Sequence, residues 1–191
     1  METMTKSEVQ LRKDELLERI NEGEVFIHPT DTIYGLGCNA SDDRAVKKIR
    51  KIKDRKDNPF SIWVPNKNWI RQHCEVDAEA EKWLSKLPGP FTLIMRLKNK
   101  NSVAPSVHLA NHTVGVRLPN HWFHHVVERL GSPIVTTSAN RTGKMFMSSI
   151  ENLDPEVKNG VRFIIYEGEK KGNPSSIVHL DGSDRVVARK K

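Results

Sequence analysis

Four short polar segments of the sequence carry residue types that bind anions and small polar ligands. The first, PTDTIYGLG at residues 29–37, places two threonine hydroxyls, a carboxylate and two glycines directly after an apolar run. Glycines let the backbone approach a ligand closely, and hydroxyls supply short-range hydrogen bonds. The segment therefore predicts a binding loop, with a tight strand-to-helix connection as the alternative interpretation.

The second segment leaves a basic helix and enters a strand, and it carries Lys53 and Arg55 two residues apart. In extended backbone these side chains can bracket a phosphate chain, because arginine offers a planar fork and lysine a point charge. A solvated helix face is the alternative for a charge run of this kind.

The third segment, TVGVRLP at residues 113–119, reads as a strand. Alternation places Thr113, Gly115 and Arg117 on one of its faces. An arginine beside small residues suggests a contact with a carboxylate or a phosphate, whereas an arginine on an exposed face is the alternative.

The fourth segment, TTSANRTG at residues 136–143, concentrates hydroxyl and amide side chains directly after an apolar strand. Ligands collect at such strand ends in open α/β sheets. A helix cap or a turn is the alternative, because serine, threonine and asparagine favour both.

The elements that must position these segments alternate early and become strand-rich late, which predicts a mixed, twisted β-sheet with helices packed on it. Predicted strands cover residues 24–28, 60–64, 91–97, 113–118, 133–137, 163–166, 176–180 and 186–188. Predicted helices begin near residues 7 and 41, with Ser7 and Ser41 as caps, and cover residues 77–87, 122–130 and 149–158. We find no repeat or long linker, so residues 1–191 are predicted to form one domain.

The basic helix after residue 41 should divide its cations between two surfaces. Ala45, Ile49 and Ile52 recur at helical spacing and face the core. Four cations therefore fall on or beside the outward face: Lys47, Lys48, Arg50 and Lys51. Lys53 and Arg55 are predicted to lie past the helix end and to point into a cleft.

Composition narrows the class of protein and its compartment. The chain is globular in composition and carries a net charge of +7, which favours polyanionic ligands such as nucleotides or RNA. No apolar stretch approaches the roughly 18 residues of a membrane span, and the start lacks a signal-peptide core. Two cysteines without a CxxC pattern fit a reducing compartment. We therefore expect a cytoplasmic protein with no membrane partner and no protein-built metal site.

Taken together and in this order, five motifs resemble the YrdC-like family of threonylcarbamoyl-AMP synthases. They are PTDTIYGLG, the Lys-x-Arg at residues 53–55, PGPFTLIM, TVGVRLP and TSANRTG, and the resemblance runs from about Glu24 to Arg189. It implies a YrdC-like α/β fold with a deep, electropositive cleft on one side of a twisted sheet. ATP and L-threonine are expected to lie in that cleft.

The resemblance also implies roles for individual residues. The expected catalytic residues are Lys53, Arg55, Ser138 and Asn140. The expected ATP-binding residues are Arg55, Asn58, Thr113, Ser138 and Arg189. The expected L-threonine-binding residues are Thr32, Arg117 and Thr136, with Arg117 on the carboxylate. Mg²⁺ is expected to arrive with ATP, and no tightly bound cofactor is expected.

The implied reaction joins L-threonine, bicarbonate and ATP into L-threonylcarbamoyladenylate and pyrophosphate, a nucleotidyl transfer. The product would modify ANN-decoding tRNA, which implies a threonylcarbamoyl-transferase partner protein and leaves a direct tRNA or double-stranded RNA contact open. This chain departs from the family pattern in two places. The spacing from Arg55 to Asn58 is one residue shorter, and the loop at residues 144–148 lacks a proline.

Three alternatives remain at this stage. An RNA-binding module would use the basic helix, but aromatic residues that could stack bases are missing between Arg44 and Lys56. A carbamoyl-adenylate domain of hydrogenase maturation normally sits in a longer, multidomain chain. A YciO-type paralogue of unclear activity would lack the Lys-x-Arg at residues 53–55.

Overall fold

The structure is a computed structural model that describes residues 1–109, 112–182 and 186–187. Its strands are β1 (Glu2–Met4), β2 (Phe26–His28), β3 (Gly35–Gly37), β4 (Ser61–Trp63), β5 (Phe91–Arg96), β6 (Thr113–Arg117), β7 (Ile134–Val135), β8 (Thr137–Ser138), β9 (Phe163–Ile165), β10 (Ser176–His179) and β11 (Val186–Val187). Its helices are α1 (Lys6–Leu11), α2 (Lys13–Asn21), α3 (Asp43–Lys53), α4 (Lys67–His73), α5 (Ala78–Ser85), α6 (Pro105–His108), α7 (His124–Leu130) and α8 (Pro155–Gly160).

The strands form two mixed sheets. Sheet A has the order β1-β9-β2-β3-β8, with parallel pairs around β9 and antiparallel pairs around β3. Sheet B has the order β11-β10-β5-β6-β4-β7, with parallel pairs β10·β5 and β4·β6. The α/β class and the mixed strand directions are confirmed, while the strands divide between two sheets where one was expected. One domain over residues 1–191 stays a prediction.

The chain passes from one sheet to the other within residues 133–138, where a single strand was predicted over residues 133–137. The predicted strand separates into β7, which pairs with β4 in sheet B, and β8, which pairs with β3 in sheet A. Thr136 lies at the crossing, and its backbone N–H donates to the Ser61 carbonyl at 2.8 Å. Alternating apolar residues indicate a strand but not its partner, so a change of sheet within one run leaves no signal in the pattern.

Helix α3 carries the basic run and begins one residue later than predicted. Asp42 is its N-cap, and its carboxylate accepts from the backbone N–H groups of Arg44 and Ala45 at 2.9 and 3.3 Å. The helix includes Lys53 and ends at Asp54, whose φ of 51° leaves the helical region. The prediction that Lys53 lies past the helix end is therefore wrong.

Other boundaries moved for local reasons. At the first helix, Thr5 and Glu8 form the capping box instead of Ser7 and Gln10, and the chain breaks at Arg12 between α1 and α2. The predicted helix at residues 149–158 is a 3₁₀ turn followed by α8. Four elements were missed because they are short or begin at a loop: β1, β3, α4 and α6.

Two buried apolar clusters hold the sheets and helices together. The larger contains the inner faces of α3, β4, β5 and β6. The smaller lies under α1, α2 and α7 and contains an aromatic group formed by Phe26, Trp63, Phe123 and Phe163. Within it, the rings of Phe26 and Phe163 stack with centroids 5.0 Å apart. Burial of such aromatic surface is the main stabilising term available to this side of the molecule.

Candidate active site

A cleft of about 390 Å³ opens between the two sheets. Sheet A contributes β3 and β8 to its walls, and sheet B contributes β4, β5, β6 and β10. The polar side chains of the lining are Tyr34, Arg55, Asn58, Ser61, Thr92, Thr113, Arg117, Thr136, Thr137, Ser138, Ser175, His179 and Asp181. Among these described residues, the lining contains two arginines and one aspartate. It therefore carries a net positive charge, as expected.

The cleft brings together most of the predicted site residues. Six of them line it: Arg55, Asn58, Thr113, Arg117, Thr136 and Ser138. Three are not part of the lining: Thr32, Lys53 and Asn140. Arg189 lies outside the described residues. The four polar segments of the sequence therefore meet at one place, although not every residue in them faces the cleft.

Lys53 holds the loop at residues 138–140 from behind. Its Nζ donates to the carbonyl oxygens of Ser138 and Asn140 at 2.6 and 2.7 Å and to Asn140 Oδ1 at 3.0 Å. The Ser138 hydroxyl donates to the same Asn140 Oδ1 at 2.6 Å. Since the Lys53 side chain is 1% exposed, the prediction that it points into the cleft is wrong. Its geometry positions the loop that carries Ser138.

The ammonium of Lys53 is buried, and its hydrogen-bond acceptors among the described residues are neutral oxygens rather than carboxylates. Burial lowers the pKa of Lys53 to about 7, and the positive charge of Arg55 acts in the same direction. The three acceptor oxygens oppose this effect, because only the charged ammonium has three N–H groups to donate. The arrangement holds a loop whose geometry depends on the protonation of one side chain.

Arg55 lines the cleft and lies on the loop between α3 and β4. Its Nη2 donates to the Pro59 carbonyl at 2.6 Å, and its Nε donates to the Asn58 carbonyl at 3.2 Å. The guanidinium lies over the ring of Phe60, 5.2 Å from its centroid. These contacts fix a planar, cationic group beside the cleft, where it suits a phosphate.

Arg50 organises the same loop and lies beside the outward face of α3 rather than on it, within the predicted range. It is half-buried rather than outward-facing, and its guanidinium lies over the Phe60 ring at 4.5 Å. Its Nε donates to the Ser106 carbonyl at 2.7 Å, and its Nη1 donates to the carbonyls of Arg55 and Asn58 at 3.1 and 3.2 Å. One side chain thus ties the Arg55 loop to α6. Lys47, Lys48 and Lys51 are exposed, as predicted.

Arg117 is a buried cation with a carboxylate partner. It is 6% exposed, and its Nη2 donates to Asp31 Oδ1 at 2.9 Å and to Thr32 Oγ1 at 3.2 Å. Asp31 Oδ2 also accepts from the Asn120 backbone N–H at 3.1 Å. Thr113, Gly115 and Arg117, predicted to share one face of β6, all line the cleft, and Val114 between them lines it as well. No binding or catalytic role was predicted for Asp31 from the sequence.

A strap at residues 166–175 crosses the binding loop that contains Thr32. Tyr34 Oη donates to the Gly168 carbonyl at 2.7 Å, and Lys170 Nζ donates to the Thr30 carbonyl at 2.8 Å. Gly172 packs so closely that a Cβ on it would stand 2.3 Å from the Thr32 carbonyl oxygen. Only glycine permits this approach, so the strap packs directly against the backbone of Thr32.

Sequence reasoning missed the residues that act through others. Arg50, Asp31 and Lys170 hold loops of the site, and their partners are backbone carbonyls or side chains far away in the chain. The only sequence signal was at Asp31, a carboxylate inside a loop that already looked like a binding segment. Among the described residues, no group of three or more metal-ligating side chains comes together, and no helix is long and apolar enough to cross a membrane.

Comparison with known families gives a match over most of the chain. The family model named Sua5_yciO_yrdC, described as "Telomere recombination", matches residues 18–190. A relative from Methanocaldococcus jannaschii, named putative threonylcarbamoyl-AMP synthase, is 36% identical over 91% of this chain and 82% of its own. The threonylcarbamoyl-AMP synthase of Pyrococcus abyssi is 35% identical over 89% of this chain, which spans 51% of that protein.

Solved structures agree with these relatives. Pyrococcus abyssi Sua5 complexed with L-threonine has a TM-score of 0.81 at 29% identity, covering 94% of this chain and 54% of that one. Escherichia coli YciO has a TM-score of 0.85 at 24% identity, covering 99% of this chain and 94% of that one. The second likeness concerns the fold alone.

Proposed function

This chain belongs to the Sua5_yciO_yrdC family, and we propose that it is a threonylcarbamoyl-AMP synthase. The proposed reaction uses L-threonine, bicarbonate and ATP and yields L-threonylcarbamoyladenylate and pyrophosphate. The observation that carries the proposal is the meeting of the four polar segments in one cleft with two arginines in its lining. The names of the relatives from Methanocaldococcus jannaschii and Pyrococcus abyssi support the same reaction.

The first step of the proposed reaction makes a carbamate. The amine of threonine forms a bond to the carbon of bicarbonate, and water leaves. Arg117 binds the threonine carboxylate, because a planar guanidinium matches a carboxylate with two parallel hydrogen bonds. Thr136 lies on the same lining, and Thr32 contacts the Arg117 guanidinium from behind. These residues hold the amino acid while its amine reacts.

The second step transfers the nucleotide. An oxygen of the carbamate attacks the α-phosphorus of ATP, and the bond from that phosphorus to the bridging oxygen of pyrophosphate breaks. Negative charge grows on the leaving group, so a fixed cation beside the phosphates lowers the barrier. Arg55 fits that role, with Asn58, Thr113 and Ser138 around the nucleotide. The Ser138 hydroxyl donates to Asn140 and not to a histidine, which suits an orienting residue rather than a nucleophile.

We propose that Mg²⁺ enters with ATP. Magnesium is commonly held by substrate phosphates and one or two carboxylates, and the described lining offers the Asp181 carboxylate together with several hydroxyl oxygens. These oxygen ligands fit the ion. Bound there, the ion would neutralise charge on the phosphates.

We further propose a cytoplasmic setting and a transferase that consumes the product. A mixed anhydride of a carbamate and a phosphate hydrolyses readily, so a partner protein must take it up soon after release. The acceptor is expected to be an ANN-decoding tRNA. These finer statements follow from the proposed reaction and from the family resemblance.

Pyrophosphate release tests the proposed reaction. Purified protein should release pyrophosphate from ATP only when L-threonine and bicarbonate are both present, with each omitted in turn. Equal release without threonine would refute the synthase proposal. An RNA-binding role is separated by reversing Lys47, Lys48 and Lys51 to glutamate, since all three are exposed on α3. Turnover should stay within a few fold while nonspecific RNA binding weakens and its salt dependence flattens.

A further inference from the structure

Two buried polar atoms beside Gly35, which lines the cleft, have no hydrogen-bond partner among the described residues. They are His28 Nε2 and Thr136 Oγ1, on side chains that are 0% and 3% exposed. Both lie near the same point, 2.8 and 3.1 Å from the position that a Cβ on Gly35 would occupy. A side chain at Gly35 would collide with both groups, so glycine at this position leaves space for them. A buried polar atom without a partner is costly, which points to a partner that arrives later.

The ring of His28 is fixed by its surroundings. It stacks on Phe123 with centroids 5.4 Å apart, and Phe26 and Trp63 contact it at 5.7 Å each. Its Nδ1 lies 3.3 Å from the Pro29 carbonyl oxygen, which can only accept a hydrogen bond. Nδ1 therefore carries the proton of the neutral ring, and Nε2 presents a lone pair.

The neutral form is also the one that the electrostatics favour. Burial lowers the pKa of His28 to about 3, and the charge of Arg117 contributes to the same direction. A second cation beneath Arg117 would be repelled. His28 is thus a permanent hydrogen-bond acceptor at neutral pH, in a place where it does not compete with Arg117 for an anion.

We propose that His28 is a positioning residue that accepts the hydroxyl proton of Thr136 when the amino-acid substrate fills the cleft. A hydroxyl has one proton and two lone pairs, so a Thr136 hydroxyl that donates to His28 presents acceptors alone to the cleft. Rotation of the Thr136 side chain between staggered rotamers forms this bond. Its backbone stays fixed by the bond from its N–H to the Ser61 carbonyl at 2.8 Å.

As a consequence, the Thr136 oxygen would recognise the amino group of the substrate. Arg117 attracts a carboxylate, whereas an oxygen with its proton turned away attracts an N–H group. Together they match an α-amino acid, and the acceptor holds the amine that must form the new bond to carbon. This inference rests on the proposed function, since it assumes threonine in the cleft. It assigns His28 no contact with the substrate.

A double-mutant cycle tests the inference. His28→Phe keeps an aromatic ring in the same group of rings but removes the acceptor, and Thr136→Val removes the hydroxyl at nearly constant volume. Each is expected to raise the KM for threonine about tenfold, the scale of one hydrogen bond, with the KM for ATP unchanged. The double variant should be no worse than Thr136→Val alone, because His28 acts only through the Thr136 hydroxyl. His125→Phe, at a side chain 80% exposed, is the matched control.

A spectroscopic measurement keeps the test independent of turnover and of the folding of His28→Phe. With ¹⁵N-labelled histidine, the Nε2 resonance of His28 in the wild type should shift when threonine is added, and it should stay in place in Thr136→Val. An unshifted Nε2 at saturating threonine overturns the inference, as do additive effects in the cycle. A wild type that binds threonine but fails to release pyrophosphate refutes the proposed function instead.

Discussion

The two buried cations of the candidate site, Lys53 and Arg117, are held in opposite ways. Lys53 donates to three neutral oxygens of one loop, whereas Arg117 donates to the carboxylate of Asp31. Arg117 lines the cleft and Lys53 does not. A cation on neutral oxygens serves the loop that it holds, and a cation on a carboxylate can exchange or share that carboxylate with a substrate.

The difference also decides which side of the cleft responds to pH. The pKa of Lys53 is lowered to about 7, so its charge changes near neutrality. Arginine stays protonated throughout the working range, and Asp31 beside it favours that state. The loop at residues 138–140 is therefore held by a titratable group, while the threonine side is held by a permanent charge.

The largest effect is expected at Lys53. Lys53→Met keeps the length of the side chain but removes the ammonium, so the loop that carries Ser138 loses its anchor. Turnover should fall roughly 10²-fold or more, the scale for losing one electrostatic contribution in an active site. The fold should survive, because replacing a buried charge by an apolar group of similar volume is often neutral. Steady-state pyrophosphate release measures the loss.

Lys51→Met is the matched control for that variant, because Lys51 lies two residues away on the exposed face of α3. Its turnover should equal that of the wild type. Near wild-type turnover in Lys53→Met would mean that the loop needs no anchor. The different ways in which Lys53 and Arg117 are held would then have no effect on activity.

The next effect is expected at Arg117. Arg117→Lys retains a charge but replaces a planar fork by a point, so apparent threonine affinity should fall about tenfold while the KM for ATP is unchanged. Threonine titration at saturating ATP provides the measurement. Arg71→Lys is the control, since Arg71 forms an exposed pair with Glu81. Unchanged threonine affinity in Arg117→Ala would make Arg117 structural and its mapping to the substrate wrong.

A third variant asks whether the contrast extends to the loop of Arg55. Arg50→Met removes the guanidinium that bonds the carbonyls of Arg55 and Asn58. The KM for ATP should rise several fold, since the loop then samples more conformations, and the affinity for threonine should not change. Arg44→Met is the control because its side chain is 94% exposed. If only the affinity for threonine changed, the assignment of this loop to ATP binding would be wrong.

The smallest effect concerns stability and pH. Burial lowers the pKa of Lys53 from 10.5 to about 7, so above pH 7 the unfolded chain holds a proton that the folded chain has released. Stability contributed by this group therefore rises as pH increases from about 7 towards 10.5, and it is lost again as pH falls back to about 7, below which both states are protonated. Relative to Lys53→Met, the wild type should gain less than about 1.4 kcal/mol per pH unit. Urea unfolding between pH 6.5 and 8.5 measures this gain, and parallel curves would contradict it.

How far the sequence reaches is clearest at these residues. The motif at residues 53–55 predicted a functional lysine and a functional arginine, and both lie at the site, but the spacing could not indicate that Lys53 ends a helix and turns inward. Arg117 was placed correctly on a strand face by alternation, which needs only local geometry. Its partner Asp31 is 86 residues away, and such pairings depend on how the sheets meet.

The same limit applied to the fold. Long, periodic runs such as β5, β6 and α3 were predicted within a few residues, because burial of one face leaves a repeating pattern. Strands of two or three residues, such as β3 and β8, are too short for a pattern, although they form one wall of the cleft. His28 shows a further limit. From sequence alone it cannot be distinguished from an ordinary buried histidine, because its proximity to Gly35 and Thr136 is known only from the structure.

The position of β9 has a consequence for synthesis on the ribosome. Residues 163–165 lie between β1 and β2 and pair in parallel with both, so two strands from the first 28 residues acquire their shared neighbour only after residues 163–165 are made. Until that strand emerges, the apolar edge of β2 and the start of the chain have no partner in the sheet. Strand edges exposed in this way favour association between nascent chains. Completion of the sheet is thereby a late event, because it requires translation through residue 165.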